Sequence, residues 1–95
     1  MTAKGLAKLI EECGELQQIA GKKLAYFHTD EHPDGKGSLK QRLQDEIADV
    51  MAACTVAARI LDLDLYELAV RRSRKELLFM DWHEMPEKNN LGVDF

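Results

Sequence analysis

Two acidic strings hold the residues of this chain most suited to chemistry: Glu11-Glu12-Cys13-Gly14-Glu15 and Glu46-Ile47-Ala48-Asp49. Each lies in a run whose apolar residues recur at helical spacing. Side chains three or four positions apart on a helix project from neighbouring turns, so Glu11, Glu12 and Glu15 form one group and Glu46 with Asp49 another. Carboxylates are costly to bury unless a cation or a donor compensates them. Two antiparallel helices joined by a loop can set such groups face to face. The product would be an oxygen-lined box for a hard divalent cation, Mg²⁺ first and Mn²⁺ as a substitute, which keeps water and accepts phosphate oxygens. The competing description is a set of solvated helix carboxylates. Glu11 fits that description as well as the functional one. Glu46 and Asp49 fit it poorly, because their helix is otherwise apolar on that flank.

The elements that must position these groups are helices, and the expected fold is all-α. Leu6, Leu9, Ile10, Cys13, Leu16, Ala20, Leu24 and Phe27 form a helical stripe, which predicts a first helix from about Thr2 to about Phe27. Residues 28–37 are a loop by composition; His28 and His32 flank its acidic part, and a mobile polar loop is expected there rather than a second metal site. Ser38 is the expected N-cap of a second helix ending near Leu61. Asp64, with Glu67 in a capping box, opens a third helix that reaches about Trp82. From about residue 84 the tail reads as irregular, with Leu91, Val93 and Phe95 able to dock on the body. No strand pattern and no internal repeat appears.

The second helix carries two apolar stripes: Leu43, Ile47, Val50, Cys54 and Leu61, then Ala53, Val56 and Ile60. A helix apolar on two sides must be covered on two sides. Three helices in so short a chain do not easily do this alone, so a homodimer or higher homo-oligomer is expected, with a four-helix-type bundle core formed by dimerisation. Glu46 and Asp49 fall beside the second stripe and should face a crevice.

The 95 residues fit one small domain spanning 1–95, and 45% hydrophobic with 32% charged residues is ordinary for a globular protein. The formal charge of -4 argues against a partner that is a nucleic-acid polymer. No run is long enough to span a bilayer and no signal-peptide pattern opens the chain, so no membrane partner and a cytoplasmic location are expected. Cys13 and Cys54 lack CxxC spacing and lie on apolar stripes, which predicts buried, reduced thiols.

Phosphate-binding candidates lie outside the acidic group. Glu11, Glu15, Gln18 and Lys22 follow one strip of the first helix, with Lys22 two turns beyond the cluster, where it could reach a phosphate. A solvated face describes the strip equally well. Tyr26, Phe27 and Trp82 could stack on a base, but packing is the commoner role, and His83 is expected at the surface.

EExxE followed by ExxD on successive helices resembles the MazG-like family of all-α nucleoside triphosphate pyrophosphohydrolases. The resemblance runs from about Leu6 to Leu78 and includes Leu9-Ile10 and Leu16 around the first string and Leu43 and Val50 around the second. It implies that Glu12, Glu15, Glu46 and Asp49 are metal ligands, with Glu11 assisting at a second ion or by orienting water. The implied activity is hydrolysis of a nucleotide substrate between its α- and β-phosphates, giving a monophosphate and pyrophosphate. Gln18 and Lys22 are similar to residues of some members. The family's K-x-x-x-N-x-x-R pattern on the third helix is not kept. Arg71 and Lys75 have its first spacing, and Leu78 stands where the last cation would be. Arg71 and Lys75 are the expected phosphate contacts there; a solubilising basic face is the alternative. A non-catalytic helical dimer that binds metal or a basic partner is the alternative to an enzyme. No Ser/His/Asp set and no P-loop supports another mechanism.

Overall fold

The computed structural model describes residues 3–84, and the expectations for the C-terminal tail, Leu91, Val93 and Phe95 included, lie outside them. The described chain is all-helical: α1 spans Lys4–Ala25, α2 Leu39–Ile60 and α3 Leu65–Trp82. The expected capping chemistry forms. Ser38 Oγ accepts from Gln41 N at 3.1 Å, and Asp64 Oδ1 accepts from Glu67 N at 3.0 Å. A second cap serves α2. Asp30 takes Lys40 N on its carboxylate at 2.7 Å and Leu39 N on its backbone oxygen at 2.9 Å. Leu39, at that helix start, is fully buried.

The chain divides after Asp62 into two compact units. The first is an antiparallel hairpin of α1 and α2. Gly5 lies against Ala57 and Ile60 at one end, and Lys22 reaches the loop and α2 through Asp34 at the other. At Gly5 an added Cβ would sit 3.0 Å from Ile60 Cδ1 and 3.4 Å from the Ala57 backbone, so glycine permits the close approach of the two helices. The second unit contains α3, where Lys75 Nζ lies 5.9 Å from the centre of the Phe79 ring and Phe79 packs on Trp82.

The face α1 turns to α2 is not the one its hydrophobic pattern indicates. Gly5, Glu12 and Ile19 are the buried residues of α1, spaced by seven, with Leu9 and Leu16 half-buried between them. Leu6, Ile10, Cys13, Ala20, Leu24 and Phe27, all from the expected stripe, are exposed. On α2 the buried positions are Leu39, Ala53, Ala57 and Ala58, whereas Ile47, Cys54, Val56, Ile60 and Leu61 are exposed. The physical reason is size. Small residues let two helices approach closely, and the bulky side chains are turned outward. The cysteines follow their stripes: both are free thiols, as expected, but both are exposed rather than buried. Of Tyr26, Phe27 and Trp82, expected in the core or an interface, none is in the core: each is exposed on the single chain and meets one neighbouring ring, His32, His28 and Phe79 respectively, and His83 is at the surface.

The loop between α1 and α2, expected to be mobile, is tied down at several points. Lys23 Nζ donates to Thr29 O at 2.9 Å and to Phe27 O at 3.3 Å. Tyr26 meets His32 edge to face.

Candidate metal centre

Glu12 enters the hairpin seam because it occupies the seven-residue register of Gly5 and Ile19. Its side chain is 8% exposed. Across the seam Glu46 is half-buried and Asp49 exposed. One carboxylate oxygen from each of these three residues lies within 4.8 Å of the others. Among the described residues, Glu12 Oε1 and Glu46 Oε2 are buried side-chain oxygens with no hydrogen-bond partner. Such atoms forfeit their hydration without replacement, at a cost charged groups bear only when something else compensates them.

The electrostatics agree with the geometry. The Glu46 carboxyl is pushed above its ordinary value by burial, then by the charges of Glu15, Asp49 and Glu12. Glu15 is pushed up by Glu12 first, then by burial and Glu11. Like charges crowded in this way favour protonation or a cation. A close cation at Glu12 is Lys8, one turn earlier, whose Nζ lies 3.1 Å from Glu12 Oε2 and 2.9 Å from Glu11 Oε1. Those two carboxylates hold the Lys8 ammonium well above the usual lysine range, hydrogen bonding to Glu11 being the largest cause.

The seam thus gathers Glu12, Glu46 and Asp49, with Glu15 on an adjoining turn. Glu11 points outward and is more than half exposed. Gln18 and Lys22 line a crevice of about 320 Å³ beside Glu15 and Glu46. Arg71 and Lys75 stand on α3 in the second unit. A second crevice, about 400 Å³, opens on the other side of Glu12 and Asp49, walled by Gly5, Ala52, Ala53 and Val56. Sequence reasoning missed three neighbours: Lys8, Arg42 and Asp34. Lys8 was legible four positions before Glu12, and Arg42 four before Glu46; Asp34 sits in a loop with no periodicity to reveal it.

All the converging donors are carboxylate oxygens, which select hard cations over soft ones. Two of them are buried without partners, and their charges repel. These residues fit a divalent ion such as Mg²⁺. Comparison with family models, curated proteins and solved structures finds no match to this chain. No helix among the described residues is long and apolar enough to cross a membrane.

Proposed function

We propose that the chain is a Mg²⁺-dependent, MazG-like nucleotide pyrophosphohydrolase acting as a homodimer or higher homo-oligomer. The observation that carries this reading is the pair of buried, unpartnered oxygens, Glu12 Oε1 and Glu46 Oε2, in one group with Asp49. The order and spacing of EExxE and ExxD support it.

In this reading Glu12, Glu46 and Asp49 hold the ion and Glu15 completes the set. Once bound, Mg²⁺ would neutralise phosphate oxygens and acidify a water molecule. The remaining work belongs to side chains. Glu11, which points outward but is joined to Glu12 through Lys8, assists at a second ion or by orienting water, and an ionised carboxylate beside the attacking water takes its proton. The water oxygen bonds to the α-phosphorus as the bond to the α,β-bridging oxygen breaks. Pyrophosphate leaves with that oxygen. The nucleoside lies along the apolar crevice of Gly5, Ala53 and Val56, and the polyphosphate along the polar one of Gln18 and Lys22. Arg71 and Lys75 are the further phosphate contacts that the family resemblance implies.

The outward face supports oligomerisation. Leu6, Ile10 and Leu24 on α1 and Ile47 and Met51 on α2 are all exposed large apolar side chains, and such surfaces mark protein contacts when contiguous. Ile10→Asp, at a position 72% exposed, is expected to yield monomers by light scattering; a wild-type monomer would refute the oligomer.

Pyrophosphate release from a panel of ribo- and deoxyribonucleoside triphosphates tests the activity. Release of monophosphate and pyrophosphate that EDTA stops is the expected result. No turnover on any nucleotide, with metal still bound, would favour the non-catalytic dimer.

A further inference from the structure

Lys22 on α1 and Arg42 on α2 converge on a single anion, the Asp34 carboxylate, supplied by the connecting loop. Lys22 Nζ lies 2.9 Å from Oδ2. Arg42 grips both oxygens, Nη1 to Oδ1 and Nη2 to Oδ2, each at 3.1 Å. Lys36 N donates to Oδ1 at 3.1 Å. His32 Nδ1 accepts from Asp34 N at 3.0 Å and lies 3.2 Å from Oδ2. Two cations on one carboxylate leave one positive charge in surplus.

The donors are arranged as a phosphoryl group would require. A planar guanidinium fork, an ammonium and a backbone N–H meet at one point, the donor set that recognises phosphate oxygens as well as carboxylate. The placement also suits a polyphosphate. Both cations line the polar crevice with Glu15 and Glu46. Arg42 is one helical turn from Glu46, and Lys22 two turns from Glu15, about 5 and 10 Å along the helices.

The hold of the loop does not rest on Asp34 alone. The ends are secured without it, by Lys23 at Thr29 and by Asp30 at the start of α2. Between Asp34 and Ser38, Gly35 and Gly37 have φ of +67° and +101°, a region glycine occupies at no steric cost.

We propose that Lys22 and Arg42 form a phosphate-binding subsite on the loop side of the carboxylate cluster, with Asp34 as the internal anion that a phosphoryl group displaces. The ligand class is a polyphosphate, and its identity as substrate or leaving pyrophosphate rests on the pyrophosphohydrolase reading. A doubly charged phosphoryl oxygen set out-competes a singly charged carboxylate for the two cations. Return of Asp34 then expels the product.

Amide NMR titration of the full chain with inorganic pyrophosphate, in EDTA, tests the subsite without turnover. In the wild type the Lys36 amide should shift as its bond to Asp34 is lost. Asp34→Asn should bind pyrophosphate about ten-fold more tightly, because an occluded site weakens apparent affinity by the fraction of time it is open. Arg42→Gln should bind about ten-fold more weakly, whereas Lys40→Gln, the same charge change on the same helix, should leave binding unchanged. Unaltered or weaker binding in folded Asp34→Asn would overturn the proposal and make Asp34 a strap. If that variant does not fold, equal losses in Arg42→Gln and Lys40→Gln would overturn it instead. Specific pyrophosphate binding with no nucleotide hydrolysis would keep the subsite and sink the enzyme reading. Hydrolysis with binding indifferent to Arg42 and Asp34 would do the reverse.

Discussion

The hairpin holds two carboxylate groups with opposite electrostatic characters. At its middle, Glu12, Glu46 and Asp49 crowd together, and two of their oxygens are buried without a partner. At the loop end, Asp34 has a guanidinium, an ammonium and a backbone N–H. Burial and neighbouring anions push Glu46 up; hydrogen bonds from Arg42 and then Lys22 hold Asp34 well below the usual carboxylate range. The same functional group is therefore incomplete in one place and complete in the other. Incompleteness in a folded chain points to something that arrives later, whereas completeness points to structure, or to an occupant that must be moved.

The strongest way to break this contrast is to remove the incomplete charge. Glu46→Gln should lower nucleotide turnover by more than the roughly 10–100-fold that changes behind a metal ligand cost, with helix content by circular dichroism unchanged. Activity at the wild-type level would remove Glu46 from the site.

Next in size is the response to metal. An ion that binds only the folded state adds about 2.7 kcal/mol at a hundred times its dissociation constant. Mg²⁺ should therefore raise the melting temperature of the wild type, and Glu12→Gln should abolish the rise. Equal gains in both proteins would mean that the ion binds elsewhere.

The smallest effect is on the pH dependence of stability, and it sharpens the contrast by sign. Glu15 and Glu46 have raised values in the folded state. Their protonation thus favours folding, and that contribution is lost as pH rises through their folded values. Asp34 is lowered, so its contribution is present above the ordinary aspartate value of 3.8 and is lost as pH falls below it. With metal chelated, melting temperature should rise as pH falls from 7 towards the carboxylate range and should fall in stronger acid. Mg²⁺ should reverse the first limb, and Asp34→Asn should flatten the second. A melting temperature indifferent to pH between 7 and 5 in EDTA would argue that the central carboxylates do not repel one another.

Much of this was legible in the sequence for a physical reason. Helix periodicity and capping are local, so α2 and α3 begin where Ser38 and Asp64 place them. The grouping of Glu12 with Glu46 and Asp49 followed from spacing and an antiparallel turn. The contact face of α1 did not. Hydrophobicity ranks Leu6, Ile10 and Leu24 above Gly5 and Glu12, but close helix approach is decided by small side chains, and Gly5, Ala53 and Ala57 supply them. Nor was the partner of Lys22 legible. Asp34 lies twelve residues away in the chain, brought back by loop geometry that no periodic pattern encodes.

Gly5 has a consequence beyond its own contact. It lies two turns from Glu12 on the seam, about 10 Å along the helix, and fixes how near α1 comes to Ala57. The hairpin works like a pair of calipers whose gauge is set near one end and read at the carboxylates. A single methyl at position 5 is a shim: its carbon would sit 3.0 Å from Ile60 Cδ1 and 3.4 Å from the Ala57 backbone, so the Ile60 side chain or the seam itself must give way. In the metal-binding reading proposed above, the span from Glu12 on α1 to Glu46 and Asp49 on α2, and with it the size of ion they would suit, depends on a residue that gives no oxygen to the cluster.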